Sequence, residues 1–174
     1  MREGARAVNF RVMGDDSAGR DQASVRFPPP LVGVLVVVVG YGLERMLPLT
    51  AAPPVSSSVR WGVGGSIVAT SVAVLGVWPF VLFKRSGQDP RPWTPTPELL
   101  IEGPYKFTRN PMYLMMVLVC VGVAVMLTSA WALLLSPLCC PIIYLTAIRY
   151  EETYLERKFG DSYRRYKQQV RRWI

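Results

Sequence analysis

The sequence predicts an all-α integral membrane protein with about four transmembrane helices and a C-terminal amphipathic helix on the cytoplasmic side. Three observations carry that prediction. Apolar residues make up 51% of the 174 and the mean hydropathy is +0.24, too oily for an ordinary water-soluble domain and of a length that suits a single domain. The apolar residues come in long runs, each near the length that crosses about 30 Å of hydrocarbon. Lys and Arg, 20 against 12 acids for a net charge of +8, gather in three segments separated by pairs of those runs.

In chain order, residues 1–30 carry Arg2, Arg6, Arg11, Arg20 and Arg26 among Asp15, Asp16 and Asp21 and close on Pro28, Pro29 and Pro30. Without helical periodicity or the early apolar stretch of a secretory signal, they are expected to form a flexible tail ahead of one membrane domain over 31–174. The first span is predicted over 31–47, LVGVLVVVVGYGLERML, and the second over 59–83, after a Pro/Ser-rich turn. Within the second, Gly65, Ala69 and Ala73 recur every four residues, a spacing that lets membrane helices approach closely. From Lys84 to Asn110, Pro90, Pro92, Pro95, Pro97 and Pro104 forbid a long helix and favour an extended connection. Met112 to Ile148 is too long for one crossing and suits two, predicted over 112–127 and 130–148 about a turn at Thr128-Ser129. Pro137 and Pro141 are expected to kink the last of them.

The basic residues decide the orientation. Five lie in the tail, five between Lys84 and Arg109 and eight from Arg149 onward, which leaves only Arg45 and Arg60 for the opposite side. Four spans put the three rich segments on one face, so the positive-inside rule places both termini and the Pro-rich connection in the cytoplasm. With spans present, the basic excess points to the bilayer surface as partner and away from nucleic acid. The chain has no His, which removes the commonest general base and the commonest metal ligand, and no metal site is expected. Cys120, Cys139 and Cys140 lie inside apolar runs without zinc-site spacing and read as small apolar residues.

Two polar segments interrupt this pattern. In IEGPYKFTRNPMYLMM, residues 101–116, Asn110 is placed to cap the next helix with its side-chain oxygen, and Pro111 sits where its missing N–H costs nothing. The same stretch offers an anion site, a helix N-terminus beside Arg109 and Lys106. In the segment 149–170, RYEETYLERKFGDSYRRYKQQV, the residues Leu155, Phe159, Tyr163, Tyr166 and Val170 continue from Ile148 at helical spacing, with Lys and Arg on the other face. An amphipathic segment along the headgroups is predicted, divided at Gly160 with Asp161 capping its second part. Glu151 and Glu152 stand out. The positions four residues on are Leu155 and Glu156, so the usual helical ion pair is missing, and Arg149 is left as a partner for Glu152. Two adjacent acids at the membrane boundary of a basic segment point to a ligand.

Together these residues resemble the membrane methyltransferases of the isoprenylcysteine carboxyl methyltransferase family and the related phospholipid methyltransferases. Their signature is Arg-His-Pro-x-Tyr, a hydrophobic hairpin, Glu-Glu-x-x-Leu, then Phe-Gly-x-x-Tyr-x-x-Tyr and a Val. It falls here on Arg109, Pro111 and Tyr113, on Glu151, Glu152 and Leu155, and on Phe159, Gly160, Tyr163, Tyr166 and Val170. Asn110 stands where the eukaryotic enzymes have His. The resemblance, over 99–174, implies S-adenosylmethionine as methyl donor, bound through segments 99–113 and 149–170. It implies Gly103, Tyr105, Arg109, Pro111, Tyr113, Glu151 and Glu152 as cofactor-binding residues and Arg109, Asn110 and Glu152 as catalytic ones. Trp93, Tyr105 and Tyr113 are available to cover the adenine.

The same resemblance implies a lipophilic or prenylated acceptor, with carboxyl O-methylation of an isoprenylcysteine-like substrate ahead of methylation of a phospholipid amine or another small lipophilic acceptor. A carboxylate needs no base, which suits a chain without His, whereas an amine needs a Glu to take its proton. The non-enzyme reading, a small membrane scaffold or transporter, calls for ionisable residues lining a path. The spans hold only Glu44 and Arg45, at the end of the first, and Arg60, at the start of the second.

Overall fold

A computed structural model of the chain describes residues 28–49, 55–87 and 99–174. Of the flexible tail expected over residues 1–30, residues 1–27 lie outside the described residues, as do the prolines at 90, 92, 95 and 97 and Trp93, while Pro29 and Pro30 already belong to the first helix. Among the described residues every regular element is helical. Helix α1 is Pro29–Met46, α2 is Ser57–Arg85, α3 is Pro111–Leu127, α4 is Ala130–Phe159 and α5 is Asp161–Gln169. Three of them, α1, α2 and α4, are long and apolar enough to cross a membrane, while α3 is apolar with 17 residues. At 1.5 Å per residue α3 reaches about 25 Å, so it spans only with help from its flanks.

The breaks between helices follow from local chemistry. Pro29 and Pro111 open their helices at positions that lack a hydrogen-bonding duty. The Ser56 hydroxyl accepts from Val59 N and starts α2 two residues ahead of the predicted span. Thr128 turns the chain with a left-handed φ of 52°, and the Ser129 hydroxyl accepts from Ala132 N to start α4. Pro137 lies in a tight 3₁₀ stretch, Ser136–Leu138, and a wider π stretch follows at Tyr144–Ile148. The fourth helix is thus distorted where the prolines predict it, but it does not end at Ile148. Its apolar part stops there, and the charged part Arg149–Phe159 continues it as one helix.

Packing explains two further departures from expectation. The α2 stripe that touches its neighbour runs through Gly64, not Gly65. A Cβ at Gly64 would stand 2.5 Å from the carbonyl oxygen of Gly122 on α3, whereas one at Gly65 would meet nothing within 4 Å. In lipid no hydrophobic effect drives helices together, so van der Waals contact at such small residues sets the seam, and a one-residue shift rotates it by about 100°. The amphipathic stripe is likewise taken up by protein. Tyr163, Tyr166 and Val170 pack with Leu99, Leu155 and Phe159, and Ile148 joins the main core. Asp161 does not cap α5. Gly160 holds the cap position and Asp161 pairs with Arg164 at 3.1 Å.

The main core joins Val32 and Val36 of α1, Tyr113, Val117 and Cys120 of α3, and Cys139, Ile143 and Ala147 of α4. Cys120 and Cys139 serve there as small apolar residues. One end of the bundle is tied by Glu44, which accepts from Trp131 N at 3.1 Å, and by Arg60, which donates to Thr128 at 3.1 Å. The opposite end gathers the two polar segments.

Candidate functional site

The 3₁₀ turn Gly103–Lys106 rests on the last turns of α2. Gly103 has a φ of +56°, a backbone conformation that favours glycine, and a Cβ there would stand 2.7 Å from Leu82 Cδ1, which would have to move aside. This seats Tyr105, whose ring meets Phe83 edge-on at 5.9 Å and whose carbonyl accepts from the Tyr166 hydroxyl at 2.8 Å. Burial, then the nearby Tyr166 and Glu151, push the Tyr105 hydroxyl well above its ordinary range. Lys106, expected beside the anion site, is exposed.

Arg109, Asn110 and Pro111 lead into α3. Asn110 occupies the cap position, but its side chain makes no cap hydrogen bond. Its Nδ2 instead donates to the carbonyl of Arg172 at 3.1 Å, and Thr108 Oγ1 donates to the same oxygen at 3.0 Å. The physical reason is that residues 170–174 lie across this turn and bring backbone acceptors that need donors once water is excluded. Arg109 N completes the contact by donating to Arg171 O at 3.0 Å.

Glu152 lies against the same turn, without its expected partner. Arg149 donates to the Tyr150 hydroxyl at 2.5 Å and stacks over that ring at 4.6 Å. Glu152 takes two arginines from elsewhere in the chain. Arg172 Nε and Nη2 donate to its two oxygens at 3.0 Å each, and Arg109 Nη1 stands 3.0 Å from Oε1. The side chains of Arg109 and Glu152 keep 9% and 11% exposure, so water screens the pair far less than at a surface. Arg109 Nε and Nη1 are buried without a hydrogen-bond acceptor, because the Nη1 N–H is close to Glu152 but not aligned on it. One carboxylate between two guanidiniums leaves one positive charge in excess, and open donors sit on the buried arginine. That is the arrangement an anionic ligand group would complete.

Glu151 has partners of a different kind. The Tyr113 hydroxyl donates to Oε1, and among the described residues no Lys or Arg pairs with Glu151. Burial raises its carboxyl group to about 7, with the Tyr113 bond pulling down and Glu152 pushing further up. Tyr163 and Tyr166 are raised above their ordinary range chiefly by burial. Their rings are packed inside the protein and present no face for stacking on bases.

Structure therefore brings together Gly103, Tyr105, Arg109, Asn110, Pro111, Tyr113, Glu151 and Glu152. It adds Arg172, which sequence reasoning passes over because it is one of eight basic residues beyond Ile148 and nothing in its spacing marks it.

These features define a multi-pass helical membrane protein with a buried arginine and glutamate site at one end of its bundle. Residues 59–162 match the family model described as phospholipid methyltransferase, and the chain belongs to that family, which is related to the isoprenylcysteine carboxyl methyltransferases. An uncharacterized protein of Haemophilus influenzae is 46% identical over 63 residues, covering 36% of this chain and 100% of that protein. No solved structure matches the chain. The family implies a membrane methyltransferase with a donor of the S-adenosylmethionine type.

Proposed function

We propose that the protein transfers a methyl group from S-adenosylmethionine to a lipid-like acceptor, at a site facing the cytoplasm. The observation that carries this reading is Arg109, buried at the start of α3, with no acceptor aligned on Nε or Nη1 among the described residues, although Nη1 stands 3.0 Å from Glu152 Oε1. With the helix N-terminus it would hold the donor's carboxylate. Glu151, which has no cationic partner among the described residues, is the carboxylate free to face the donor's positive charge, while Glu152 orients Arg109. Tyr105 and Tyr113, the latter bonded to Glu151, would cover the adenine. When bound, the donor supplies an electrophilic methyl on a sulfonium. Charge is dispersed in such a transfer, so alignment contributes more than acid or base chemistry.

The leading acceptor is an isoprenylcysteine-like carboxylate, already ionised at neutral pH, whose oxygen forms the new bond to carbon as the carbon–sulfur bond breaks. This suits a chain without His. A phospholipid amine is the second reading, and Glu151 favours it specifically, because a carboxylate that titrates near 7 is suited to take the proton an amine must lose. For either acceptor, an open groove of about 460 Å³ along α2, lined by Ile67, Val74, Leu75 and Leu118, suits an acyl or prenyl chain. The serines there are already bonded to their own helix, Ser66 to Gly62 O and Ser71 to Ile67 O.

The test is incubation of the purified protein in detergent with methyl-labelled donor and native membrane extract. Label in a base-labile ester supports the carboxylate, label in a base-stable lipid supports the amine, and no transfer to any lipid-phase acceptor refutes both.

A further inference from the structure

We propose that Arg172 is a positioning residue for methyl transfer, holding the two halves of the site in register with its side chain and its backbone at once. The proposal rests on the donor-site reading above. Arg172 lies beyond the residues that match the family model, which end at 162, and two residues past Val170, the last residue of the motifs, so it is itself no part of them.

The contacts converge on this one residue. Its guanidinium grips both oxygens of Glu152 at 3.0 Å and lies 4.5 Å over the Tyr144 ring. Its carbonyl accepts from Thr108 and Asn110 at 3.0 and 3.1 Å. The segment that leads into α3 and the end of α4 thus bind the same residue from two directions. Its own position is set on both sides. Val170 is buried against Tyr163 and Tyr166, and Trp173 packs on the main core, as Tyr144 does.

The consequence concerns Arg109. With Arg172 in place, both Glu152 oxygens are taken by a planar fork, and Arg109 meets only one of them, off line, with donors left open. Without Arg172, Glu152 has a single cation, and the Arg109 guanidinium is free to turn and use its own fork on both oxygens. Its donors would then be spent inside the protein. Arg172 therefore keeps Arg109 available by satisfying Glu152. Lys at this position would keep the charge but not the fork, and Met would keep only the apolar stem over Tyr144.

The experiment measures S-adenosylmethionine binding by calorimetry on the full chain in detergent, together with turnover at saturating donor and the melting temperature. It compares wild type, Arg172→Lys and Arg172→Met, with Arg164→Ala as a control for a basic residue paired on the surface. Arg172→Met is expected to bind donor roughly tenfold more weakly and to lose turnover by about the same factor, with Arg172→Lys in between and Arg164→Ala unchanged. An Arg172→Met protein with the wild-type melting temperature, and with binding and turnover within about twofold of wild type, overturns the proposal. If Met lowers the melting temperature, Arg172→Lys decides: weaker binding supports the role and wild-type binding refutes it. A wild-type chain that binds no donor refutes the site reading itself and the proposal with it, a result distinct from equal binding by wild type and variants.

Discussion

Glu151 and Glu152 are adjacent in sequence and held by opposite kinds of partner. Glu152 lies between Arg109 and Arg172, both within 3.0 Å, while Glu151 has the neutral Tyr113 hydroxyl. The helix turns about 100° between them, so one carboxylate joins an ion cluster and the other stands apart from it. The predictions separate these roles.

Arg109→Ala is expected to weaken S-adenosylmethionine binding by roughly 10-fold to 100-fold, the worth of hydrogen bonds from a charged donor. Glu152 keeps Arg172, so the fold survives. Equilibrium binding with melting as a control checks this, and unchanged affinity in a folded variant sinks the assignment of Arg109 to the donor.

Donor binding should strengthen as pH rises from about 6 to 8. The Glu151 carboxyl is raised to about 7, and a cationic ligand prefers its ionised form. The sign for folding is the reverse. A raised acid favours the protonated native state, so its contribution to stability is full below the unfolded value, declines as pH rises toward about 7, and is absent above it. Glu151→Gln should flatten both profiles, and identical profiles in that variant would remove Glu151 from the site.

Asn110→His should keep most activity, since an imidazole N–H can replace the amide as donor to the Arg172 carbonyl. Asn110→Ala removes one of the two donors on that carbonyl and leaves Thr108 Oγ1 in place, at about 0.5–1.5 kcal/mol, with a further loss of turnover from a loosened segment. Asn110→Asp should be worse, because an ionised carboxylate sets oxygen against oxygen. Turnover of the three variants on one acceptor orders them; full activity in Ala would show that Asn110 is merely tolerated.

Gly64→Leu should destabilise the bundle by at least about 1–3 kcal/mol, the usual cost of overpacking, because its Cβ alone meets Gly122 O at 2.5 Å. Gly65→Leu should be near neutral, since nothing lies within 4 Å. Thermal unfolding in detergent distinguishes the two, and equal shifts would contradict the seam.

Lys106→Cys should resist a membrane-impermeant thiol reagent in intact cells and react after lysis, on the charge asymmetry of the segments. Labelling from outside intact cells would reverse the orientation.

Hydropathy and charge made most of this fold legible in advance. The helix start at Pro111, the turn at Thr128-Ser129 and the distortion at Pro137 all follow from interactions within a few residues, which a linear reading can evaluate, whereas α1 starts at Pro29, two residues ahead of its predicted span. The motif residues were legible as a set for the same reason, since each belongs to one of two short segments. Three local expectations failed where a distant segment competed for the same group. Asn110 leaves its own helix for the Arg172 carbonyl, Glu152 leaves Arg149 for Arg109 and Arg172, and the tyrosine stripe of α5 packs on Leu99 and Leu155.

What the sequence by itself determined is the set of membrane-crossing runs, the clustering of basic charge and the identity of the polar residues placed at the membrane boundary, because hydropathy, net charge and backbone propensity are properties of single residues and near neighbours. Only the tertiary structure decided which small residue faces which, that Arg172 closes the site, and that two neighbouring glutamates differ in charge environment. Those outcomes depend on which helix face is buried and on which buried donor finds which buried acceptor, and both are settled by contacts between residues far apart in the chain.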